Sequence, residues 1–285
     1  MFKKLASLQP QKIMETSIQN NNLLKFDFIV LIPVFNNQNG LLKSINSINY
    51  DHKKHAVLVV DDGSLEPISA YFLRQNCNQK NISIIRFNEN RGIVHALNAG
   101  LKEIEQNFDT KFIARLDCDD ICHPERFEKQ VAFLTQNPEI DLLGTWCRFE
   151  ESSTRKGYLY KTKTEHNEIL KQMHYKCSFI HPTVMFKKYL VKKVGYYPTN
   201  FPHAEDYAYF WEILKIGKGA ILAENLVTVE MKGGNVSRKF RISQIKSRAK
   251  IVANYGRSNF FSIMNWLRFY LISFYFQLKL KKYDS

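Results

Sequence analysis

The chain has 285 residues, is 45% apolar and carries 41 Lys and Arg against 27 Asp and Glu, a formal net charge of +14. That length suits one large α/β domain or a domain with an appended piece, and no repeat or long low-complexity segment interrupts it. Five scattered cysteines, an odd number, argue against a disulfide framework and for a reducing compartment.

Residues 1–25 read as a loosely ordered extension. Lys3 and Lys4 are followed by no apolar h-region, so secretion is not expected, and Gln19 to Asn22 is an amide run. Phe28 to Pro33, FIVLIP, is the first expected strand, with Pro33 closing it. Val34-Phe35-Asn36-Asn37 opens a loop, and Leu41 to Ile48 carries helical spacing. Ala56 to Val60 is a second apolar strand that ends in Asp61-Asp62-Gly63-Ser64, and Ile82 to Phe87 is a third. Asn90-Arg91-Gly92 opens a strong helix, IVHALNAGLKEI. A fourth strand (112–116), a helix from Pro124 to about Asn137 and a fifth strand, Ile140 to Thr145, follow. Further on, Tyr158 to Thr162 and Thr183 to Lys187 read as strands flanking a helix over Glu165 to Tyr175. Strands alternating with helices and ending in polar clusters predict an α/β fold. Its sheet would be mostly parallel, with helices on both faces and the site at the strands' C-terminal edge.

The fourth strand carries the densest chemistry. Asp117, Asp119 and Asp120 follow it in FIARLDCDD, and unpaired carboxylates cannot share a dry interior. They either cap the helix after Pro124 as an acidic loop or offer hard oxygens with open positions to Mg²⁺ or Mn²⁺ shared with a phosphate. Cys118, Cys122 and His123 have no second Cys/His pair at zinc-finger spacing, which argues against zinc. Asp61-Asp62-Gly63-Ser64 is either a plain turn or a carboxylate that accepts hydrogen bonds from a base imide or a ribose hydroxyl. VFNN, DDGS and DCDD fall on one rim with no glycine-rich phosphate loop, a pattern that points to a nucleotide held by carboxylates and a metal.

The same segments carry a resemblance. LIPVFNN, VLVVDDGS, NENRGIVHALNAGL, FIARLDCDDICHPERFEKQVAFLTQNPEIDLLG and HAEDYAYFWEI come in the order and spacing of glycosyltransferase family 2, the inverting sugar transferases of GT-A fold. The chain resembles that family over most of residues 28–215, and within it the bacterial enzymes that extend lipopolysaccharide or lipooligosaccharide chains. The resemblance implies a GT-A domain over 26–230, with nucleotide-sugar binding in 26–150 and the acceptor side in 151–230. It implies a UDP-sugar donor, a lipid-linked or oligosaccharide acceptor, and Mn²⁺ or Mg²⁺ as cofactor.

Residue roles follow from the same source. Pro33, Phe35 and Asn36 would line the uracil and ribose pocket, and Asp62, with Asp61 behind it, would read the base. Asn90, Arg91 and Asn98 would contact nucleotide and sugar, the plainer reading of Asn98 being a helix residue facing the sheet. Arg115 would meet a donor-sugar hydroxyl or a neighbouring carboxylate. Asp117 would take ribose or sugar hydroxyls and, with Asp119, hold the cation that bridges the diphosphate. Asp206 would be the catalytic base with Glu205 beside it; the plainer reading of both is the charging of a helix N-terminus, which lowers a carboxylate's pKa. His181 and His203 would lie on the acceptor side. Asn235-Val236-Ser237 departs from the family's pattern, and the Gln-x-x-Arg-Trp signature of processive synthases does not occur, so one sugar per encounter is expected.

From Met231 onward twelve Lys and Arg face a single acid, Asp284. Phe260 to Leu280 is aromatic, yet Ser262, Asn265, Arg268, Ser273 and Gln277 interrupt it and share half of a helical wheel. A spanning helix wants about 20 nearly uninterrupted apolar residues. The basic tail, 231–285, therefore reads as helical, its aromatic part lying on an anionic membrane or packing on the protein's own core. The first option implies a peripheral location on the cytoplasmic face of the bacterial inner membrane. Nucleic acid is not expected as a partner, since the basic block lacks any recognised binding motif. The alternative to an enzyme is a catalytically idle GT-A nucleotide-sugar-binding protein, against which the retained Asp117, Asp119 and Asp206 speak.

Overall fold

The computed structural model describes residues 25–231 and 241–255, with the single positions Leu267 and Leu271. The extension over 1–24, Asn235-Val236-Ser237 and the aromatic tail lie outside this range, those two leucines apart. The elements run β1 (Lys25–Val34), α1 (Gln38–Asn46), β2 (His55–Asp61), α2 (Ala70–Asn76), β3 (Ile82–Arg86), α3 (Ile93–Asn107) and β4 (Asp109–Arg115). They continue with β5 (Ile121–Cys122), α4 (Arg126–Gln136), β6 (Ile140–Glu150), β7 (Gly157–Tyr160), α5 (His166–Met173), a 3-10 turn (His181–Thr183) and β8 (Met185–Lys187). The last are α6 (Tyr189–Val194), α7 (Glu205–Leu214), β9 (Lys218–Glu230) and α8 (Arg241–Tyr255).

All strands join one sheet in the order β3-β2-β1-β4-β8-β6-β9-β5, with β7 on β6. The first half, β3-β2-β1-β4, is parallel throughout, as expected. The second half is mixed: β6 and β9 run parallel, while β8, β5 and β7 pair antiparallel with their neighbours. β8 is short and enters from the site edge, where the Arg115 N–H donates to the Val184 carbonyl, so it runs against β4. No crossover helix is needed for that pairing.

Two apolar layers sandwich the sheet. Ile29, Leu31, Leu58 and Val60 face Leu97, Leu101 and Ile104 of α3 and, further along, Tyr207 and Phe210 of α7 in one core. Val30, Ile32, Val57 and Val59 face Leu41 and Ile45 of α1, Leu73 of α2 and Phe127 of α4 in the other. Burying one such side chain contributes about 1.5–3 kcal/mol, so a strand apolar on both faces can sit only at the centre of a covered sheet. Pro33 does not close β1, which runs one residue further to Val34. Its missing N–H falls on the β4 side, where pairing has ended with the Leu116 N–H on Leu31; on the other side the Asp62 N–H still donates to Val34.

Candidate functional site

The site forms where β1, β2 and β4 end. Asn36, at φ 50°, turns the chain out of β1. Its N–H donates to Ser64 Oγ at 2.9 Å, and its Oδ1 accepts the Leu65 N–H at 2.8 Å. This stitch between the two loops walls a cleft of about 330 Å³ lined by Asn36, Asn37, Ser64, Leu65, Glu66 and others. That volume lies within the range of small-ligand sites. Of the residues expected around the base and ribose, Asn36 lines the cleft. Pro33 is buried inside β1, Phe35 is 46% exposed, and Asp62 lies outside the lining.

Asp61 and Asp62 are both buried and do different work. Asp61 accepts the Ser64 N–H at 2.9 Å and pairs with Arg86 of the neighbouring strand. Asp62 accepts from the N–H groups of Arg91 and Gly92 at 2.8 and 2.9 Å and from Asn90 Nδ2 at 3.1 Å. Burial holds its pKa above the usual range despite these donors. Gly63, at φ 76°, lies so close to the Glu89–Asn90 backbone that a Cβ would collide with it. The loops after β2 and β3 are therefore one joint, and the Arg91 guanidinium rests 5.5 Å from the Phe87 ring.

The Asp-x-Asp turn is organised by a buried cation. Arg115 is fully buried; its Nη1 donates to the carbonyls of Leu31 and Leu116 at 2.6 and 2.8 Å, and its Nη2 pairs with Asp117. Burial raises the Asp117 pKa, but the charge and hydrogen bond of Arg115 outweigh it and hold the carboxyl below its ordinary value. Burial and then the Asp117 charge push Asp120 well above it, although Asp120 accepts the Glu230 N–H at 2.9 Å. Asp119, at φ 79°, turns its carboxylate onto the start of α1, where Asn37 donates to it. A Cβ on Gly40 would occupy the space that this carboxylate fills.

Asp117 and Asp119 fit a hard cation: the donors are all oxygen, and repulsion among three carboxylates is what a divalent charge relieves. Among the described residues no three His, Cys, Asp or Glu side chains converge on one point. Phosphate oxygens would have to complete the shell, as is usual for Mg²⁺.

The acceptor-side residues connect to this turn. His181 Nε2 lies 3.2 Å from Arg115 Nε and 2.9 Å from the Tyr197 hydroxyl. Since a guanidinium can only donate, this nitrogen accepts and Nδ1 carries the proton. Burial, then the Arg115 charge, lowers the His181 pKa to about 3 and keeps the ring neutral. Tyr197 stacks on Tyr209 at 4.2 Å, and its backbone is held at both ends by Asn98 at 2.8 and 2.9 Å. Asn98 therefore differs from its expected role: its amide is spent on the Tyr197 backbone.

Glu205 and Asp206 begin α7. One Glu205 oxygen, Oε2, is buried without a hydrogen-bond partner among the described residues, and burial followed by the Asp206 charge raises the Glu205 pKa to about 7. Asp206 accepts the Tyr207 N–H at 2.7 Å. Its pKa is raised by burial, not lowered as a helix start alone would dictate; the Tyr207 N–H and the Arg248 charge only soften the rise. His203, at φ 61°, sets the turn before α7, and α8 pins that turn through Gln244 on the His203 carbonyl and Ser247 on the Pro202 carbonyl.

Sequence reasoning missed Gly40, Arg86, Arg126 and Tyr197. Arg126, buried beside Arg115, donates to the Arg115 carbonyl at 2.8 Å. A lone basic residue in an apolar strand was the only visible signal for this pair of cations.

Residues 29–195 match the family model described as glycosyl transferase family 2. A glycosyltransferase of Erwinia amylovora named for amylovoran biosynthesis, AmsE, is 31% identical over 79% of this chain and 84% of its own length. The UDP-Gal:alpha-D-GlcNAc-diphosphoundecaprenol beta-1,3-galactosyltransferase of Escherichia coli is 28% identical over 74% of this chain and 75% of its own. Among solved structures, S. aureus TarS 1-349 in complex with UDP-GlcNAc aligns with a TM-score of 0.65 at 18% identity, covering 86% of this chain and 71% of that one. The mannosyltransferase PcManGT from Pyrobaculum calidifontis, in complex with GDP-Man and Mn²⁺, aligns at 0.59 and 17% identity, over 82% of this chain and 65% of that one. These two likenesses concern the fold. The chain belongs to glycosyl transferase family 2. It is a glycosyltransferase of GT-A fold.

Proposed function

We propose that this enzyme is inverting and metal-dependent, moving one sugar from a UDP-sugar to a glycan acceptor during assembly of a bacterial cell-surface polysaccharide such as lipopolysaccharide or lipooligosaccharide. The observation that carries this reading is the hydrogen-bonded chain Asp117–Arg115–His181–Tyr197, buried at Arg115 and Tyr197, whose last hydroxyl is governed first by burial and then by the charges of Arg115, Asp206, Asp117 and Glu205. A diphosphate-binding turn and a pair of acceptor-side carboxylates are thereby brought into one electrostatic neighbourhood. The AmsE and E. coli relatives, named for polysaccharide biosynthesis and for a UDP-sugar with a lipid-linked acceptor, support the substrate classes.

The Asn36–Ser64 cleft takes the base and ribose, and Asp62 keeps the backbone of 90–92 turned so that Arg91 can reach the nucleotide. Asp117 and Asp119 would hold Mn²⁺ or Mg²⁺, which when bound supplies neutralisation of the charge on the departing diphosphate. Asp206 takes the acceptor hydroxyl's proton as that oxygen bonds to the anomeric carbon opposite the nucleotide, and UDP leaves with the electron pair. Such a positioned base contributes roughly 10²–10⁴-fold. Glu205 Oε2, lacking a partner, accepts a hydroxyl of the bound sugars.

Turnover of a panel of nucleotide sugars tests the reading: divalent-dependent release of UDP from at least one UDP-sugar is expected, and turnover confined to GDP- or CDP-sugars overturns it. The tail of twelve Lys and Arg would place the enzyme on the anionic cytoplasmic face of the inner membrane. Among the described residues no helix is long and apolar enough to cross a membrane. Deleting 260–282 should move folded protein from the membrane fraction to the soluble one, and retention of the truncated protein on membranes would defeat the idea.

A further inference from the structure

The β6–β7 hairpin carries more aromatic surface than its place in the sheet requires. Cross-strand register pairs Cys147 with Tyr160 and Phe149 with Tyr158, so these four side chains share one face. Phe149 and Tyr158 stack at 5.3 Å and 20°, and Phe149 meets Tyr160 edge-on at 5.8 Å. Tyr158 is nevertheless 52% exposed. The Lys176 ammonium lies 4.8 Å from the centre of the Tyr160 ring.

One end of this face adjoins the candidate site: Lys176, which lies over the Tyr160 ring, follows Met173, whose carbonyl accepts the hydroxyl of Tyr207 beside Asp206. The buried thiol of Cys147 is pushed up to about 12 by burial and then by the charge of Asp120. Tyr160 is raised by burial and then by Cys177, and Cys177 in turn by burial and then by Asp206. At the other end Glu150, next to Phe149, pairs with Glu230, whose N–H donates to Asp120, so the ladder lies between the Asp-x-Asp turn and the segment that meets α7, with Tyr158 exposed on it. An acceptor chain whose terminal hydroxyl reaches Asp206 must leave along some surface, and this one adjoins the site.

We propose that the Phe149–Tyr158–Tyr160 face is a glycan subsite that holds the acceptor's second or third pyranose ring from the reacting end. The inference rests on the transferase reading above. A pyranose presents a face of C–H groups with a slightly positive edge, which suits the negative face of an aromatic ring. Its equatorial hydroxyls need polar tips at the rim, which the tyrosine hydroxyls and Lys176 supply. A protein strand is the competing occupant, because β7 pairs only with β6 among the described strands. The strand is four residues long and flanked by Lys156, Lys161 and Lys163, features that blunt an edge against another strand.

The test uses the full chain, a UDP-sugar that it hydrolyses, and p-nitrophenyl glycosides of one, two and three rings as acceptors. Wild-type kcat/KM should rise with acceptor length. Tyr158→Ala should remove about tenfold of the three-ring advantage, through KM, with little change on the one-ring acceptor. Tyr158→Phe, which keeps the ring and loses one polar tip, should keep most of the advantage, and Leu159→Ala on the opposite face of the same strand should keep all of it. Equal losses at all three lengths, no length dependence in the wild type, or a change of oligomeric state without a change in length dependence overturns the subsite. If the wild type turns over no UDP-sugar with any of these acceptors, the proposed UDP-sugar reading fails and the subsite with it.

Discussion

The donor half and the acceptor half of the site handle their carboxylates in opposite ways. On the donor rim Asp61 and Asp62 are buried but fully engaged, by Arg86, by the N–H groups of Ser64, Arg91 and Gly92, and by Asn90. On the acceptor rim Glu205 keeps a buried oxygen without a partner and a pKa raised to about 7. The first arrangement is complete without ligand and serves to hold loops in place. The second is incomplete, because an unsatisfied buried acceptor costs about 1–3 kcal/mol that only a bound donor recovers. On the proposed roles, nucleotide recognition is preformed, whereas the acceptor centre is held under electrostatic tension.

Four substitutions sharpen or break this contrast. Asp119→Ala should have the largest effect: transfer abolished and Mn²⁺-dependent UDP binding weakened with the fold intact, and full activity in excess chelator would refute the metal role. Asp206→Asn keeps shape and hydrogen-bonding reach but removes the proton sink, so kcat should fall by about 10²-fold or more with donor affinity nearly intact. Glu205→Gln should cost less; the reverse ranking would exchange the two roles. Asp62→Asn should raise the donor KM about tenfold and lower the melting temperature, since an amide can serve only one of the N–H groups that the carboxylate holds. An unchanged KM would mean that the 90–92 joint does not matter to donor binding.

The smallest effect is one of stability against pH. Glu205 has a folded pKa of about 7 against 4.5 for the free side chain, so the folded protein binds more protons between those values. Stability must therefore decline as pH rises from about 4.5 to 7 and then level off. Glu205→Gln cannot ionise and should melt higher than wild type at pH 8, by about 1–3 kcal/mol of stability. At pH 4.5 the two should melt alike. Melting curves across pH 4.5–8 check this, and parallel curves for both proteins would show that Glu205 is not strained.

The parallel half of the fold was readable because its strands are apolar on both faces and end in Asp, Asn and Gly. β1, β2 and β4 repeat that pattern, and their ends form the rim. β9 went unread: its apolar runs at Ala220–Leu222 and Leu226–Val229 are split by Glu224 and Asn225, where register shifts against Thr145 and Trp146 break the pairing. The Asp-x-Asp turn was legible from local sequence, but its organiser was not. Arg115 finds its partners at Leu31 and His181, 84 and 66 positions away, and no periodicity encodes such distances. Backbone shape was equally hidden. Asn36, Asp119 and His203 take left-handed φ values at the three loops that frame the chemistry, strain that such sites tolerate only when their surroundings fix them.

Gly40 shows what that framing demands of a helix. It lies in the first turn of α1, where alanine would favour the helical state by about 1 kcal/mol. Substitution toward better helix formers, the usual route to a sturdier protein, meets an obstacle here, because the added methyl would evict the Asp119 carboxylate. A library selected for heat resistance and activity together should find alanine elsewhere in α1 and leave this position alone. Weak helix propensity at one residue is thus a mark of function, and it hides in an element that otherwise looks purely architectural.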